Sequence, residues 1–367
     1  MPATTGADEE AHRVECSATY GTLAKVLLSD DVTLLRPVAA AFDRAIVSAM
    51  QASNRSRSSR AEQLSHDDRM KALAEIRDAY DVSSDAFFVP PTAIHPKTVR
   101  VRANVVDASW PSDFEPFLPE LRDRYLAHRA NRTAHARLYL GASPRPAIVL
   151  IHGYMAGHWW LEERAWPMAW LAERYDLALA LLPFHALRSR SVRGGPPPFP
   201  GTDPRMTNEG FRQAIFDLRA LIGHLRGRGA PAVGVMGMSL GGYTTALLAT
   251  LEPVAFAVPI IPLASLADFA AEQGRLGTGE QALLQHDALE RANRIVSPFA
   301  RPSRVPPVRV LVVAGQADRI TPIGHAERLA RHFGAEMVRF EGGHLLQFGR
   351  AEAFRSIGRW LDSVTGR

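Results

Sequence analysis

The stretch that decides the fold is Ala232-Val233-Gly234-Val235-Met236-Gly237-Met238-Ser239-Leu240-Gly241-Gly242-Tyr243-Thr244. Its first five residues form a short apolar run of buried-strand length, and a helical pattern opens after the glycines. Between the two lies Gly-x-Ser-x-Gly, centred on Ser239. A serine on so sharp a strand-to-helix turn takes strained backbone angles. A glycine two positions to either side lets strand and helix approach closely enough for the turn to form. The hydroxyl then stands above the sheet, and the N–H of Leu240 at the helix start faces any developing oxyanion. With 27 Gly and 21 Ser in 367 residues, chance supplies about 0.1 copies of the bare pattern. The strand before it and the helix after it therefore carry the weight of the reading.

The rhythm of strand, turn and helix extends from residue 145 to the end. Ala147–Ile151, Leu177–Leu182, Ala255–Ile261, Val308–Val313 and Met337–Phe340 are further apolar runs. Helical patterns at Trp166–Tyr175, Asn208–Arg226, Tyr243–Leu251, His325–Phe333 and Ala351–Leu361 separate most of them. Buried strands alternating with helices predict an α/β protein with a mostly parallel sheet. Ligands in such sheets bind at the carboxyl ends of the strands, so chemistry is sought just after each run.

A serine hydroxyl is a weak nucleophile at neutral pH and needs a base. His344, in Gly342-Gly343-His344, follows the last run and is the candidate. The imidazole in turn needs an acid to orient it. Asp318 follows Val308–Val313 at a strand's carboxyl end. Asp268 is the rival acid, and the alternative for Asp318 is a plain helix cap. His152-Gly153-Tyr154 follows Ala147–Ile151. There the backbone N–H of Tyr154 is the candidate second oxyanion donor, while His152 is expected to brace the loop. Trp159 and Trp160 are candidates to line a substrate pocket, with ordinary core packing as the alternative. His185–Met206 is a Gly/Pro/Arg-rich stretch too long for an ordinary connection. Its Arg188, Arg190 and Arg193 either meet an anionic group or, more simply, are solvated. Leu263–Arg304 carries short helical patterns and is expected to form a lid.

The first third reads differently. Val32–Ala52 has apolar residues at helical spacing (Leu34, Leu35, Val38, Ala41, Phe42, Ala45, Ile46), with Asp30 and Asp31 as available caps. Ser53–Ser59 is a polar break and Arg60–Tyr80 a second helical pattern. Thr98–Val106 alternates like a strand, Pro119–Ala130 reads as a charged helix, and Ala136–Leu140 as another strand. The division expected is a helical extension over 1–97 and the α/β domain over 98–367.

Composition narrows the classes. The chain is 46% apolar and 22% charged, which excludes whole-chain disorder. A single cysteine, Cys16, excludes an intramolecular disulfide framework and a cysteine zinc cluster. The net charge of +5 rests almost wholly on arginine, since only Lys25, Lys71 and Lys97 are lysines. These arginines are scattered among acids, the densest run being Arg55, Arg57 and Arg60. Nucleic-acid proteins concentrate theirs in a patch or tail, so no nucleic-acid partner is expected, while peripheral contact with a membrane stays open. Residues 1–10 are acidic and lack the pattern of a signal peptide. No apolar run approaches the about 20 residues that span a bilayer, and the expected location is cytoplasmic.

The His-Gly loop, the Gly-x-Ser-x-Gly elbow, Asp318 after the penultimate strand and Gly343-His344 near the end occur in that order. On these motifs residues 136 to 365 resemble the α/β-hydrolase superfamily, of the serine esterase and lipase kind. The resemblance implies an eight-stranded, mostly parallel sheet flanked by helices and a Ser-His-Asp mechanism. It predicts a serine hydrolase that cleaves a carboxylic ester, in a small molecule or a lipid, through an acyl-enzyme. Ser239 would attack, His344 would carry the proton, Asp318 would hold His344, and the amides of Leu240 and Tyr154 would form the oxyanion hole. That chemistry requires neither metal nor organic cofactor. A thioesterase, peptidase or acyltransferase uses the same machinery. A non-catalytic binding protein on the same scaffold is the alternative from another class. Ser rather than Asp at the elbow argues against a dehalogenase, and the distance of Cys16 from it argues against a cysteine-dependent polyester synthase.

Overall fold

The computed structural model describes residues 35–58, 64–189 and 197–365. The acidic segment 1–10, Cys16, Asp30, Asp31, Leu34, Arg60, Arg190 and Arg193 lie outside these residues, as do the side chains of Arg55 and Arg57.

Nine strands form one sheet: β1 Lys97–Arg102, β2 Val105–Pro111, β3 Thr133–Tyr139, β4 Ala147–Ile151, β5 Asp176–Ala180, β6 Val233–Met238, β7 Ala257–Ile260, β8 Leu311–Gly315 and β9 Glu336–Phe340. Their spatial order is β1-β2-β3-β5-β4-β6-β7-β8-β9. The six strands from β5 to β9 run parallel, and β1, β2 and β3 add an antiparallel edge. Every residue of β4, β5, β6, β7 and β8 is buried. This is why their sequences read as unbroken apolar runs, since helices cover both faces.

On one face lie the helices Pro204–Gly227, Leu240–Ala249 and Ile323–Phe333, and on the other Met168–Arg174 and Arg350–Thr365. The described part of the N-terminal extension shares the first core. Leu73, Ile76, Tyr80, Phe87 and Phe88 belong to the same buried cluster as Val149, Val235 and Val312. The helix His66–Ala79 starts at Ser65, whose hydroxyl accepts the Asp68 N–H at 3.1 Å.

Several boundaries differ from expectation for identifiable reasons. The alternation over Thr98–Val106 is two hairpin arms, β1 and β2, turning at Ala103-Asn104. Alternation continues across so short a turn, which hides the extra strand. The expected break at Ser53–Ser59 is helical through Ser58. The stretch is polar but holds neither Gly nor Pro, and polarity alone does not end a helix. Trp166–Tyr175 is cut at Pro167, leaving Trp159–Ala165 and Met168–Arg174 on its two sides. The charged helix expected over Pro119–Ala130 shrinks to a 3-10 turn, Pro119–Leu121, and the short helix Arg122–Leu126.

The insertion expected as a lid holds the helices Leu266–Glu272 and Gly279–Ala292. The second of these packs beside His66–Ala79, where Arg69 Nη1 donates to Gln285 Oε1 and to the Arg275 carbonyl, both at 3.0 Å. The helix Arg36–Ser58 buries a stripe different from the one its hydropathy suggests. Leu35, Ala39, Ala40 and Asp43 are buried, whereas Ala41, Phe42 and Ala45 are exposed. Among the described residues no helix is long and apolar enough to cross a membrane.

Candidate active site

Ser239 sits between β6 and the helix Leu240–Ala249 with φ 55° and ψ −113°. That conformation is strained for a residue with a side chain, and its surroundings enforce it. The Ser239 N–H donates to the Ile260 carbonyl of β7 at 2.9 Å, and the Ser239 carbonyl accepts from Tyr243 N–H at 3.0 Å. A Cβ on Gly237 would come within 2.1 Å of the Gly241 carbonyl oxygen, and one on Gly241 within 2.2 Å of the Ile151 oxygen. Both flanking glycines are therefore sterically required, which is the physical content of the sequence pattern.

Around this serine the loops after β8 and β9 bring the two other expected residues. His344 Nε2 lies 2.9 Å from Ser239 Oγ, and His344 Nδ1 lies 2.7 Å from Asp318 Oδ2. Asp318 is buried and accepts N–H groups from Ile320 at 2.9 Å and Thr321 at 2.8 Å through Oδ1. The Thr321 hydroxyl stands 3.1 Å from Asp318 Oδ2 and 3.0 Å from His344 Nδ1. Burial works against a charged imidazole here, but the Asp318 carboxylate, by charge and hydrogen bond, and Asp43 by charge more than offset it. The His344 pKa accordingly lies above its ordinary value.

With this geometry in hand, the chain can be set beside known proteins. No family model matches it. Two Mycobacterium tuberculosis proteins, uncharacterized protein Rv2627c and uncharacterized protein MT2702, are each 31% identical over 228 residues, or 60% of this chain. The match spans 55% of each relative, about half its length. Acetyl xylan esterase 1 from Thermoanaerobacterium sp. superposes with a TM-score of 0.50 at 17% identity, covering 79% of this chain and 92% of that one. Acetyl xylan esterase from Paenibacillus sp. R4 gives 0.51 at 15% identity, covering 78% and 98%. The chain has the α/β-hydrolase fold. At these identities the likeness speaks for the fold and leaves the chemistry to the residues.

In this α/β-hydrolase fold the loop after β4 closes on the elbow from the other side. A Cβ on Gly153 would touch Ser239 Cβ at 3.4 Å, so the next peptide, Tyr154, borders the serine. His152 braces that loop as expected. Its Nε2 accepts the Leu182 N–H at 3.0 Å, and Nδ1 bonds the Gly153 carbonyl at 2.7 Å. The ring is buried, and desolvation pushes its pKa down to about 4; with Nε2 accepting from Leu182 and Nδ1 facing a carbonyl, the neutral ring carries its proton on Nδ1.

Other candidates land elsewhere. Asp268 pairs with His286 at 2.7 Å and with Arg328, while the carboxylate on His344 Nδ1 is that of Asp318. Asp268, His286 and Glu290 are the one group of the described residues whose ligand atoms are close enough for a metal. The Arg328 guanidinium already neutralises it, bonding Asp268 and lying 3.8 Å from Glu290. Arg188 is neither solvated nor aimed at a ligand. It is wholly buried, 2.8 Å from Asp217, and donates to the carbonyls of Leu181 and Asn131. Trp159 packs on the second core under the Arg137 guanidinium, while Trp160 is exposed under Arg164. Neither ring joins the hydrogen-bonded group around Ser239.

Two residues of the site had no signal strong enough to single them out in the sequence. Thr321 is an ordinary loop threonine until the fold sets it against Asp318 and His344. Asp43, on the helix Arg36–Ser58, accepts the backbone N–H of His344 at 2.7 Å from 301 positions away. Only its place in the buried 35–39–43 stripe of that helix could have marked it.

Proposed function

We propose that the protein is a serine hydrolase that cleaves a carboxylic ester through an acyl-enzyme at Ser239. The observation that carries this is the continuous chain Ser239 Oγ, His344 Nε2, His344 Nδ1, Asp318 Oδ2, at 2.9 and 2.7 Å, on a strained elbow. Asp318 takes the Nδ1 proton in a hydrogen bond, which leaves the Nε2 lone pair facing the hydroxyl. As Ser239 Oγ attacks the ester carbonyl carbon, its proton passes to Nε2. The carbonyl oxygen becomes an oxyanion, and the N–H groups of Leu240 and Tyr154 are the candidate donors for it. Collapse of this adduct expels the alcohol, which takes the proton from Nε2. Water, giving a proton to the same nitrogen, then attacks the acyl-enzyme, and collapse of this second adduct releases the acid as Ser239 Oγ takes the proton back from Nε2.

An ester with apolar substituents fits the surroundings best. Met155 beyond the Gly153 turn, Leu187 beyond β5 and Leu345 beside His344 are all exposed and apolar. The described loop arginine, Arg188, is locked on Asp217 and offers an anion nothing. Two solved structures that share the fold at a TM-score of 0.50 and 0.51 are named as acetyl xylan esterases, in keeping with this reading.

The test is turnover of p-nitrophenyl esters of increasing acyl length by the native protein and by Ser239→Ala. The expected outcome is turnover that rises beyond acetate and falls by about a millionfold with the substitution. Retention of most of the activity in Ser239→Ala would sink the assignment.

A further inference from the structure

The loops after β8 and β9 are joined by a short backbone ladder that continues the sheet. Gln316 N–H donates to the Phe340 carbonyl at 2.9 Å, and Ala317 N–H to the Gly342 carbonyl at 3.0 Å. One step further on, the two chains face each other with donors on both sides, the N–H of Arg319 and the N–H of His344. Two donors cannot bond each other. Asp43 fills the gap: its Oδ2 accepts from His344 N–H at 2.7 Å and from Arg319 N–H at 3.2 Å, and its Oδ1 from Leu345 N–H at 3.3 Å.

The fit is close. Asp43 is the only acidic residue of the helix Arg36–Ser58 and is fully buried. Ala39 and Ala40, a turn before it, pack on Ala317, which brings the helix backbone near the loops. A Cβ on Gly343 would come 2.6 Å from Asp43 Oδ2, so only glycine leaves room for the carboxylate. Arg36 at the start of the helix bonds Glu341 beside the same loop, and Gln51 near its end donates to the Glu272 carbonyl of the β7–β8 insertion at 2.9 Å. A carboxylate without such donors is costly to bury. An apolar side chain at this position would leave all three N–H groups without this acceptor.

We infer that Asp43 is a positioning residue for the reaction of Ser239. Its carboxylate locks the backbone of Arg319, next to Asp318, to the backbone of His344 and so holds the imidazole in line between Asp318 and Ser239. The N-terminal helix is on this account a part of the active site. The inference rests on the serine-hydrolase reading. The titratable and charged groups packed around His344 are Asp318 on the acid loop and Asp43 on the helix, with the hydroxyls of Ser239 and Thr321. Glu341 is held by Arg36 and Gln316, and the Arg319 side chain is exposed.

The experiment compares full-length native protein, Asp43→Asn and Gln51→Ala. It measures the rate of labelling by a fluorophosphonate, kcat and KM on a p-nitrophenyl ester, the pH profile of kcat/KM and the melting temperature. Asp43→Asn is expected to lower kcat and the labelling rate by about ten- to a hundredfold, the scale of a small misplacement of a reacting group. KM should hold, and the acid limb of kcat/KM should move to lower pH as a negative charge beside His344 is lost. Gln51→Ala, which loosens the helix at its far end, should leave all of these near native. Native labelling rate and native acid limb in Asp43→Asn overturn the inference and leave the serine-hydrolase reading standing. A native protein that is not labelled overturns both. Should Asp43→Asn fail to fold, Gly343→Ala decides, because its Cβ would stand 2.6 Å from Asp43 Oδ2 and push the carboxylate off the His344 N–H. Gly343→Ala is expected to lower kcat and the labelling rate while KM holds. A native kcat and labelling rate in Gly343→Ala contradict the inference.

Discussion

Two carboxylates converge on His344 from opposite ends of the chain, and they reach it by different routes. Asp318 comes from the loop after β8, within the repeating strand-turn-helix region, and bonds the imidazole ring itself at 2.7 Å. Asp43 comes from a helix in the first third of the chain and bonds the backbone of the same residue, also at 2.7 Å. On the proposed reading the first belongs to the reaction and the second to the framework that keeps the reaction aligned. The difference teaches that part of a site can be written in local sequence while another part exists only once distant segments pack.

The largest effect that could break this comparison belongs to Asp318. Asp318→Asn keeps the shape of the side chain but presents a donor amide or a poorer acceptor to Nδ1, so the imidazole loses its preferred tautomer. The expected fall in kcat is about 10⁴-fold, measured on a p-nitrophenyl ester, and a fall no larger than that of Asp43→Asn would erase the distinction between the two acids. Next comes the scaffold behind the loop that follows β4. Arg188→Met leaves Asp217 buried without its cation and should lower stability by about 3–5 kcal/mol, read from denaturant unfolding; an unchanged midpoint would show the pair to be dispensable.

The finest prediction is in pH. His344 acts as a base only when neutral, and its pKa is raised above the 6.5 of an unperturbed histidine. Activity should therefore rise with pH through a midpoint above 6.5 and be lost below it as the ring protonates. Asp318 provides more of that shift than Asp43. Removing Asp43 should move the midpoint down by less than removing Asp318 does, and the reverse order in the two profiles would contradict the assigned roles.

The sequence made the α/β region legible because two local constraints survive in it. Strands buried on both faces leave unbroken apolar runs, and the elbow leaves Gly237 and Gly241, each of which has no room for a Cβ. Ser239, Asp318 and His344 could be read from their places after such runs, and the structure sets His344 within hydrogen-bonding distance of both Ser239 and Asp318. The rest was hidden for equally physical reasons. The hairpin of β1 and β2 keeps one alternation across its turn. The helix Arg36–Ser58 buries small residues and an acid while exposing Phe42, so hydropathy points to the wrong face. Arg188 looks like any loop arginine, and only the fold shows that Asp217 waits for it inside. Trp159 and Trp160 drew attention by their size, and the packing stacks them under Arg137 and Arg164.

The most direct measurement of the central claim is peptide mapping by mass spectrometry after brief exposure of native protein, Ser239→Ala and Asp318→Asn to a fluorophosphonate. The account predicts a single adduct on the peptide that carries Ser239, rapid in the native protein, absent in Ser239→Ala and much slower in Asp318→Asn. A folded native protein that forms no adduct, or an adduct that persists in Ser239→Ala, would contradict it.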